Sequence, residues 1–220
     1  NNIANERAMT VENCSKAIER GIEIVKALKG KGYKIIATGE MGIGNTTPTS
    51  ALASVLLNIN SEKTTGKGAG LSKEGIYKKR IVVEKAVERV KNRNIDNTVE
   101  TMAEIGGYEI AGLTGVFLGG LKYSMPVVID GAISAVAALC AFKIDERVKN
   151  YMLASHKSKE AVCNMALEAM GLKGVIDGEM CLGEGTGAVA LFPLLDMAVE
   201  VYEKMGSFKD FNIDAYSRFD

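Results

Sequence analysis

Apolar residues recur at helical spacing in some stretches and run together in short β-rich blocks in others, and the two kinds alternate along the chain. Ala17, Ile18, Ile22, Val25 and Leu28 form a helical stripe behind Thr10, a residue suited to cap a helix N-terminus, and Gly30 and Gly32 end that helix. Tyr33–Thr38 reads as a buried strand. A glycine-rich turn at Gly39–Pro48 then runs into an apolar helix near Thr49–Leu57. A second glycine-rich loop, Lys63–Leu71, precedes a long helix that Ser72 caps and that continues to about Arg93. Gly106–Tyr123 is helical but carries Gly112, Gly115, Gly119 and Gly120. Each interior glycine weakens a helix by roughly 1 kcal/mol relative to alanine, so their number points to close helix packing or to backbone contact with a ligand. Pro126–Asp130 is a strand, and an apolar helix follows to Phe142. Tyr151–Ser155 is another strand, ending on Ser155–Ser158, with a helix at Lys159–Met170 that Gly171 closes. Val175–Asp177 is a last short strand, and a final helix spans about Ala188–Met205.

This alternation implies an α/β fold: an open, mainly parallel, Rossmann-like sheet with helices on both faces. Residues 1–220 read as a single domain, with 1–30 and about 186–220 contributing terminal helices to a small helical part. An apolar content of 47% with 25% charged residues excludes disorder as the main state. The 27 Lys and Arg balance 27 Asp and Glu, so nucleic acid is not an expected partner. The longest uncharged stretches, Ile110–Leu121 and Gly131–Phe142, are too short to span a bilayer, and no membrane partner is expected. Cys14, Cys140, Cys163 and Cys181 have neither metal-ligand nor CxxC spacing and read as reduced thiols of a cytoplasmic protein. His156 is the one histidine, which excludes a histidine-built metal site; no metal or cofactor is expected. The 24 glycines exceed the usual share of roughly 7%, as many tight backbone approaches would require.

In an open parallel sheet, ligands gather beyond the carboxyl ends of the strands. Four polar segments reach that edge: Gly39–Thr47, Ile129–Ser134, Ala154–Ser158 and Leu182–Ala188. Gly42 and Gly44 would let backbone N–H groups close on an anion at a helix N-terminus, with Asn45, Thr46 and Thr47 as further donors. The same segment also reads as a strand-to-helix turn with capping side chains, and it matches neither G-x-G-x-x-G nor a P-loop. Glu40 and Glu184 are the two acids inside glycine-rich loops. Partial burial is expected to raise their pKa towards the range of a useful base; the alternative is a solvated loop acid or a cap. Asp130 suits a ribose hydroxyl or an N-cap, and Ser155–Ser158 suit phosphate or a polar turn. On charge pattern alone Lys79 belongs to a solvated helix face. Together these segments suit a phosphorylated, ribose-containing molecule, with a loop carboxylate as base.

The segments Gly39–Thr47 (GEMGIGNTT), Glu104–Gly115 (EIGGYEIAGLTG), Pro126–Gly131 (PVVIDG), Ser155–Ser158 (SHKS) and Leu182–Ala188 (LGEGTGA) resemble, in their order, the nicotinate-nucleotide–dimethylbenzimidazole phosphoribosyltransferase family of cobalamin lower-ligand synthesis. The resemblance runs from Ala8–Thr10 to about Phe208. It implies transfer of ribose phosphate from nicotinate mononucleotide to a benzimidazole-type base, giving α-ribazole phosphate and nicotinate with inversion at the sugar. It makes Glu184 the catalytic base and Glu40 a second acid at the reaction centre. Met41 is similar to a residue that touches the aromatic base. Gly42, Gly44, Asn45, Thr46, Gly68 and Gly185 resemble substrate contacts, Lys79 and Ser158 phosphate contacts, and Asp130 with Gly131 a ribose-phosphate contact. Small-molecule substrates and a homodimer are the implied partners. Family members carry a long stretch ahead of the segment matching Ala8–Thr10, about the first third of their chain. It helps to form the small helical domain and the base pocket, and this chain is expected to lack it. The alternatives are a non-catalytic nucleotide-binding fragment or partner subunit, and a nucleotide hydrolase with a base pocket open to water. Retention of both glutamates favours the transferase.

Overall fold

The computed structural model describes residues 1–68 and 70–214. The expected terminal segment beyond 214, and Ala69 of the second glycine-rich loop, lie outside them. Helix α1 (Val11–Gly30) starts where Thr10 predicts: its side chain accepts a hydrogen bond from the Asn13 N–H. Strand β1 is only Ile36–Ala37, shorter than the expected Tyr33–Thr38; it pairs with Val127 and Val128. Helix α2 (Thr46–Leu56) begins three residues before its expected start, which puts Pro48 in the first turn, where proline costs no hydrogen bond. A short α3 (Ser61–Thr64) leads to α4 (Lys73–Asn92), capped by Ser72 as expected. Helix α5 (Thr98–Ile105) has no counterpart in the sequence reading; the Asn97 side chain accepts from the Glu100 N–H at its start. Helix α6 (Tyr108–Lys122), β2 (Val127–Ile129) and α7 (Ala132–Ile144) follow, then a 3-10 turn (Glu146–Tyr151) and β3 (Met152–Ala154). Strand β4 (His156–Ser158), α8 (Ala161–Ala169), β5 (Ile176–Met180) and α9 (Thr186–Lys204) complete the described chain.

Strands β1, β2 and β3 form a parallel sheet in that order, and β4 pairs parallel with β5. The single open sheet expected from the sequence is thus two short ones. The chain changes sheet at Ser155, whose N–H donates to the Ile129 carbonyl (3.1 Å) and whose carbonyl accepts from Ile176 (3.0 Å). Helices lie on both faces of β1–β3. Val127, Ile129, Met152 and Ala154 face the main core with α6 and α7, while Val128 and Leu153 face Ala188, Leu191 and Leu195 of α9. Helix α1 packs on α6 and α5, and α9 on β4 and β5. The glycines of α6 serve helix packing. A Cβ on Gly115 would overlap the Ile18 carbonyl and lie 2.8 Å from its carbon, so the two helix backbones touch.

Glu104 on α5 is a buried carboxylate held by Arg7, Arg89 and Arg93; Arg89 also donates to the Ile3 carbonyl. The cluster ties the first residues to α4 and α5. Burial pushes the Glu104 carboxyl up, but the Arg89 hydrogen bond and the charges of Arg93, Arg89 and Arg7 together hold it below the usual carboxylate range. Cys14, Cys140 and Cys163 are buried, and burial pushes their thiols up to about 11, 12 and 12.

Candidate functional site

All three strands of the first sheet point their carboxyl ends to one edge, as parallel pairing requires. There Gly39–Asn45 leaves β1, Asp130–Gly131 leaves β2 and Ser155–His156 leaves β3. A narrow cleft of about 40 Å³ opens between them, lined among others by Glu40, Gly42, Thr46, Asp130, Gly131 and Ser158. It shares Thr46, Ala132, Ile133, Glu160 and Cys181 with an adjoining cavity of about 430 Å³, which Gly68 and Lys79 line. The sequence-derived candidates on five separated segments therefore converge. Gly44 and Asn45 line a third cavity of about 540 Å³, on which Glu40 also borders.

Lys79 is buried, contrary to the solvated face that charge pattern alone suggests. It lies on the stripe of α4 that continues through Val83, Ala86, Val87 and Val90 into the core. Its ammonium donates to Thr46 Oγ1 (3.0 Å) and to the Gly66 carbonyl (3.2 Å). Burial lowers the Lys79 pKa, and the negative charge of Glu160 partly offsets this; burial raises the Glu160 carboxyl against the pull of Lys79. An incoming anion would supply the charge partner that the protein gives Lys79 only weakly. Ser50 and Ser54 on α2 fix the second loop in place through the Thr64 carbonyl (2.9 Å) and hydroxyl (2.7 Å). Ser158 is buried, and its hydroxyl accepts from the Glu160 N–H (3.1 Å). Asn45 does not cap α2: its Oδ1 is buried and has no hydrogen-bond partner among the described residues, an acceptor left for a ligand donor.

The loops bearing Glu40 and Glu184 touch through their backbones. The Glu184 N–H donates to the Glu40 carbonyl (3.0 Å), and a Cβ on Gly39 would come within 2.6 Å of the Gly185 nitrogen. Glu184 has φ +57, a left-handed conformation that costs a non-glycine residue roughly 1–2 kcal/mol and that the neighbouring contacts must hold. The partial burial expected of both acids is found for Glu40 alone. Glu184 is exposed and, like Met41 and Gly185, does not line the three cavities; its neighbour Gly183 does. Glu40 Oε2 accepts from the Gly42 N–H (2.5 Å). Asp130 is buried, and both its oxygens are occupied, by the N–H groups of Gly185 (2.9 Å) and Ala188 (3.0 Å). That leaves it less to offer a ribose hydroxyl than its place at the strand end suggests. His156 is buried beside it, with Nδ1 on Ser155 Oγ (2.8 Å). Burial lowers the His156 pKa, and Asp130 partly restores it.

Sequence reasoning did not single out Glu160 or Ser134, both of which line the cleft. Ser134 Oγ accepts from the Asp130 N–H (3.2 Å) and pairs with Thr38 Oγ1. The one signal for Glu160 is its place two residues after Ser158, just past the end of β4.

Parallel strands with a polar cleft at their carboxyl edge, a buried lysine beside it and two acid-bearing glycine loops define an α/β protein with a candidate ligand site at its sheet edge. The chain belongs to a phosphoribosyltransferase family, whose model matches residues 1–213. Its relatives include the nicotinate-nucleotide–dimethylbenzimidazole phosphoribosyltransferases of Ruminiclostridium cellulolyticum (45% identical over 98% of this chain and 61% of theirs) and of Clostridium perfringens strain 13 (43%, over 97% and 59%). The crystal structure of CobT from Thermus thermophilus superposes with a TM-score of 0.91 at 35% identity, covering 97% of this chain and 63% of its own. The chain thus spans about three fifths of the length of these relatives.

Proposed function

We propose that the protein is a nicotinate-nucleotide–dimethylbenzimidazole phosphoribosyltransferase that acts in cobamide lower-ligand synthesis. The observation that carries this reading is the backbone hydrogen bond from Glu184 to Glu40, which sets two carboxylate-bearing loops side by side next to a cleft whose adjoining cavity is lined by the buried Lys79. The names and high coverage of its relatives support the same reaction. In it, the phosphate of nicotinate mononucleotide meets Lys79, Ser158 and the loop at Gly68, and its ribose lies along Gly42, Thr46 and Gly131. The unshared pair of one benzimidazole nitrogen attacks C1′ from the face opposite the pyridine. The C1′–N bond breaks, and its electron pair neutralises the pyridinium, which departs as nicotinate. The other benzimidazole nitrogen loses its proton to the Glu184 carboxylate, with Glu40 as the second acid. Met41, exposed next to Glu40, touches the aromatic base in this reading. The Asn45 Oδ1 accepts from a substrate donor.

The same reading makes the enzyme a cytoplasmic homodimer. Exposed Val189, Met197 and Val201 on α9 support a second copy there, and a monomer in sedimentation would count against it. The chain, nicotinate mononucleotide and dimethylbenzimidazole are incubated together, and products are followed by mass spectrometry. α-Ribazole phosphate is expected. Free ribose phosphate alone would mark a hydrolase, and no product with intact nucleotide binding a binding module. Glu184→Gln is expected to keep nucleotide binding and to lose about 10²–10⁴-fold in turnover, the range of a general base. Turnover equal to that of the wild type would remove Glu184 from the role.

A further inference from the structure

Asp130 has a geometry that neither a ribose contact nor an isolated cap requires. Its two carboxylate oxygens reach the N–H groups on either side of Thr186–Gly187: Oδ2 accepts from Gly185 and Oδ1 from Ala188. These groups open α9, where the helix end favours a negative charge. On the opposite flank the Glu184 N–H is tied to the Glu40 carbonyl. Glu184 is therefore pinned at its own amide and at the amide that follows, and it is held at a positive φ between Gly183 (φ +77) and Gly185 (φ +83). The clamp is itself braced. The Asp130 N–H donates to Ser134 Oγ, whose partner is Thr38. Gly187 closes the other side: a Cβ there would meet the His156 ring and lie 3.0 Å from Asp130 Oδ1. A peptide held in an unfavourable conformation relaxes when one of its restraints is removed.

We infer that Asp130 is a positioning residue, whose carboxylate clamps the Gly185 and Ala188 amides and so fixes the backbone that presents the Glu184 carboxylate. The inference rests on the transferase reading. It differs from a substrate contact in what it does to kinetics. A positioning residue acts on the chemical step, whereas a ribose contact acts on nucleotide affinity.

The test compares wild type, Asp130→Asn, Glu184→Gln and the double variant for kcat and for the KM of nicotinate mononucleotide. Asparagine keeps one acceptor and turns an NH₂ towards one of the two amides. Asp130→Asn is expected to lower kcat by about 10–100-fold, as loss of an orienting group does, with KM within roughly threefold of wild type. In the Glu184→Gln background the same substitution is expected to change residual turnover less than about threefold, because the group it positions is already gone. A merely structural anchor would lower turnover equally in both backgrounds and would overturn the inference. So would a raised KM with wild-type kcat, which would make Asp130 a substrate contact. If Asp130→Asn does not fold, Asp130→Glu keeps the charge and displaces the clamp by one methylene. The same kcat-specific loss is expected there, and a wild-type kcat overturns the inference. A wild-type protein with no transfer of ribose phosphate sinks the transferase reading itself, and the positioning role with it.

Discussion

Gly39→Ala tests the close contact between the two acid-bearing loops. Gly39 lies outside the left-handed region, so alanine can adopt its backbone conformation, and the only obstacle is space. The new Cβ would lie 2.6 Å from the Gly185 nitrogen, 2.7 Å from its Cα and 3.0 Å from the Glu184 carbonyl carbon. Ordinary contact begins at 3.4 Å, so the two loops must part by 3.4 − 2.6, or about 0.8 Å. All three opposing atoms are backbone, and no side-chain rotation relieves the overlap. Forced overpacking costs typically 1–3 kcal/mol, and at about 2 kcal/mol a chain of this size melts roughly 4–8 °C lower. The larger effect is expected on chemistry. A misplacement near 1 Å costs about 10²-fold in rate, so kcat is expected to fall several tens of times. Steady-state kinetics with nicotinate mononucleotide and dimethylbenzimidazole, beside a thermal melt, give both numbers. Gly30→Ala, at the end of α1 with nothing within 4 Å of its Cβ, serves as the control: kcat should not change, and the melting point should not fall, since alanine favours a helix. A lowered melting point with unchanged kcat would show that the spacing of the two loops is irrelevant to the reaction. If both are unchanged, the loops yield freely and their close approach constrains neither stability nor chemistry.

Gly115→Ala sets propensity against packing: alanine favours the helix by about 1 kcal/mol, but its Cβ would strike the Ile18 backbone, so net destabilisation in urea is expected, and a gain would refute the close crossing of α1 and α6. Glu104→Gln leaves three arginines without their shared carboxylate; they are partly exposed, so the loss in urea unfolding should sit at the low end for a broken buried pair, about 3 kcal/mol, and a loss below about 1 kcal/mol would mean the cluster is dispensable. The Glu104 carboxyl titrates lower folded than unfolded, so its stabilisation is present above the ordinary carboxylate pKa and is lost as pH falls through the folded value. His156 also titrates lower folded than unfolded. The unfolded chain then binds the extra proton first, so stability should fall as pH drops below about 6.5, and His156→Gln should flatten the unfolding free energy between there and the folded value.

Much of the site was legible because strand ends carry polar loops in any parallel sheet, and Gly39–Thr47 and Leu182–Ala188 announce themselves by glycine. Lys79 was legible only in part. Its charge suggests solvent, yet it falls four residues before Val83 and seven before Ala86, on the stripe that enters the core. Reading position before charge would have buried it. Helix α5 escaped because Gly106 and Gly107 dominate the pattern beside it, although Asn97 and Glu100 mark its start. The role of Asp130 was beyond the sequence altogether. An Asp-Gly after a strand looks the same whether its carboxylate faces a ligand or clamps a loop more than fifty residues further on. The division into two sheets was likewise invisible, since it turns on which neighbour the Ser155 amide and carbonyl choose.

The hydrogen bond between Glu184 and Glu40 joins positions 184 − 40 = 144 residues apart. Bringing such distant segments together costs chain entropy that local contacts do not. During synthesis the first loop emerges, and its helix can form, long before the second exists. A nucleotide that needs both loops can bind only the finished molecule. On the transferase reading, its presence draws the population towards the native state by mass action, and the nucleotide would stabilise newly made protein.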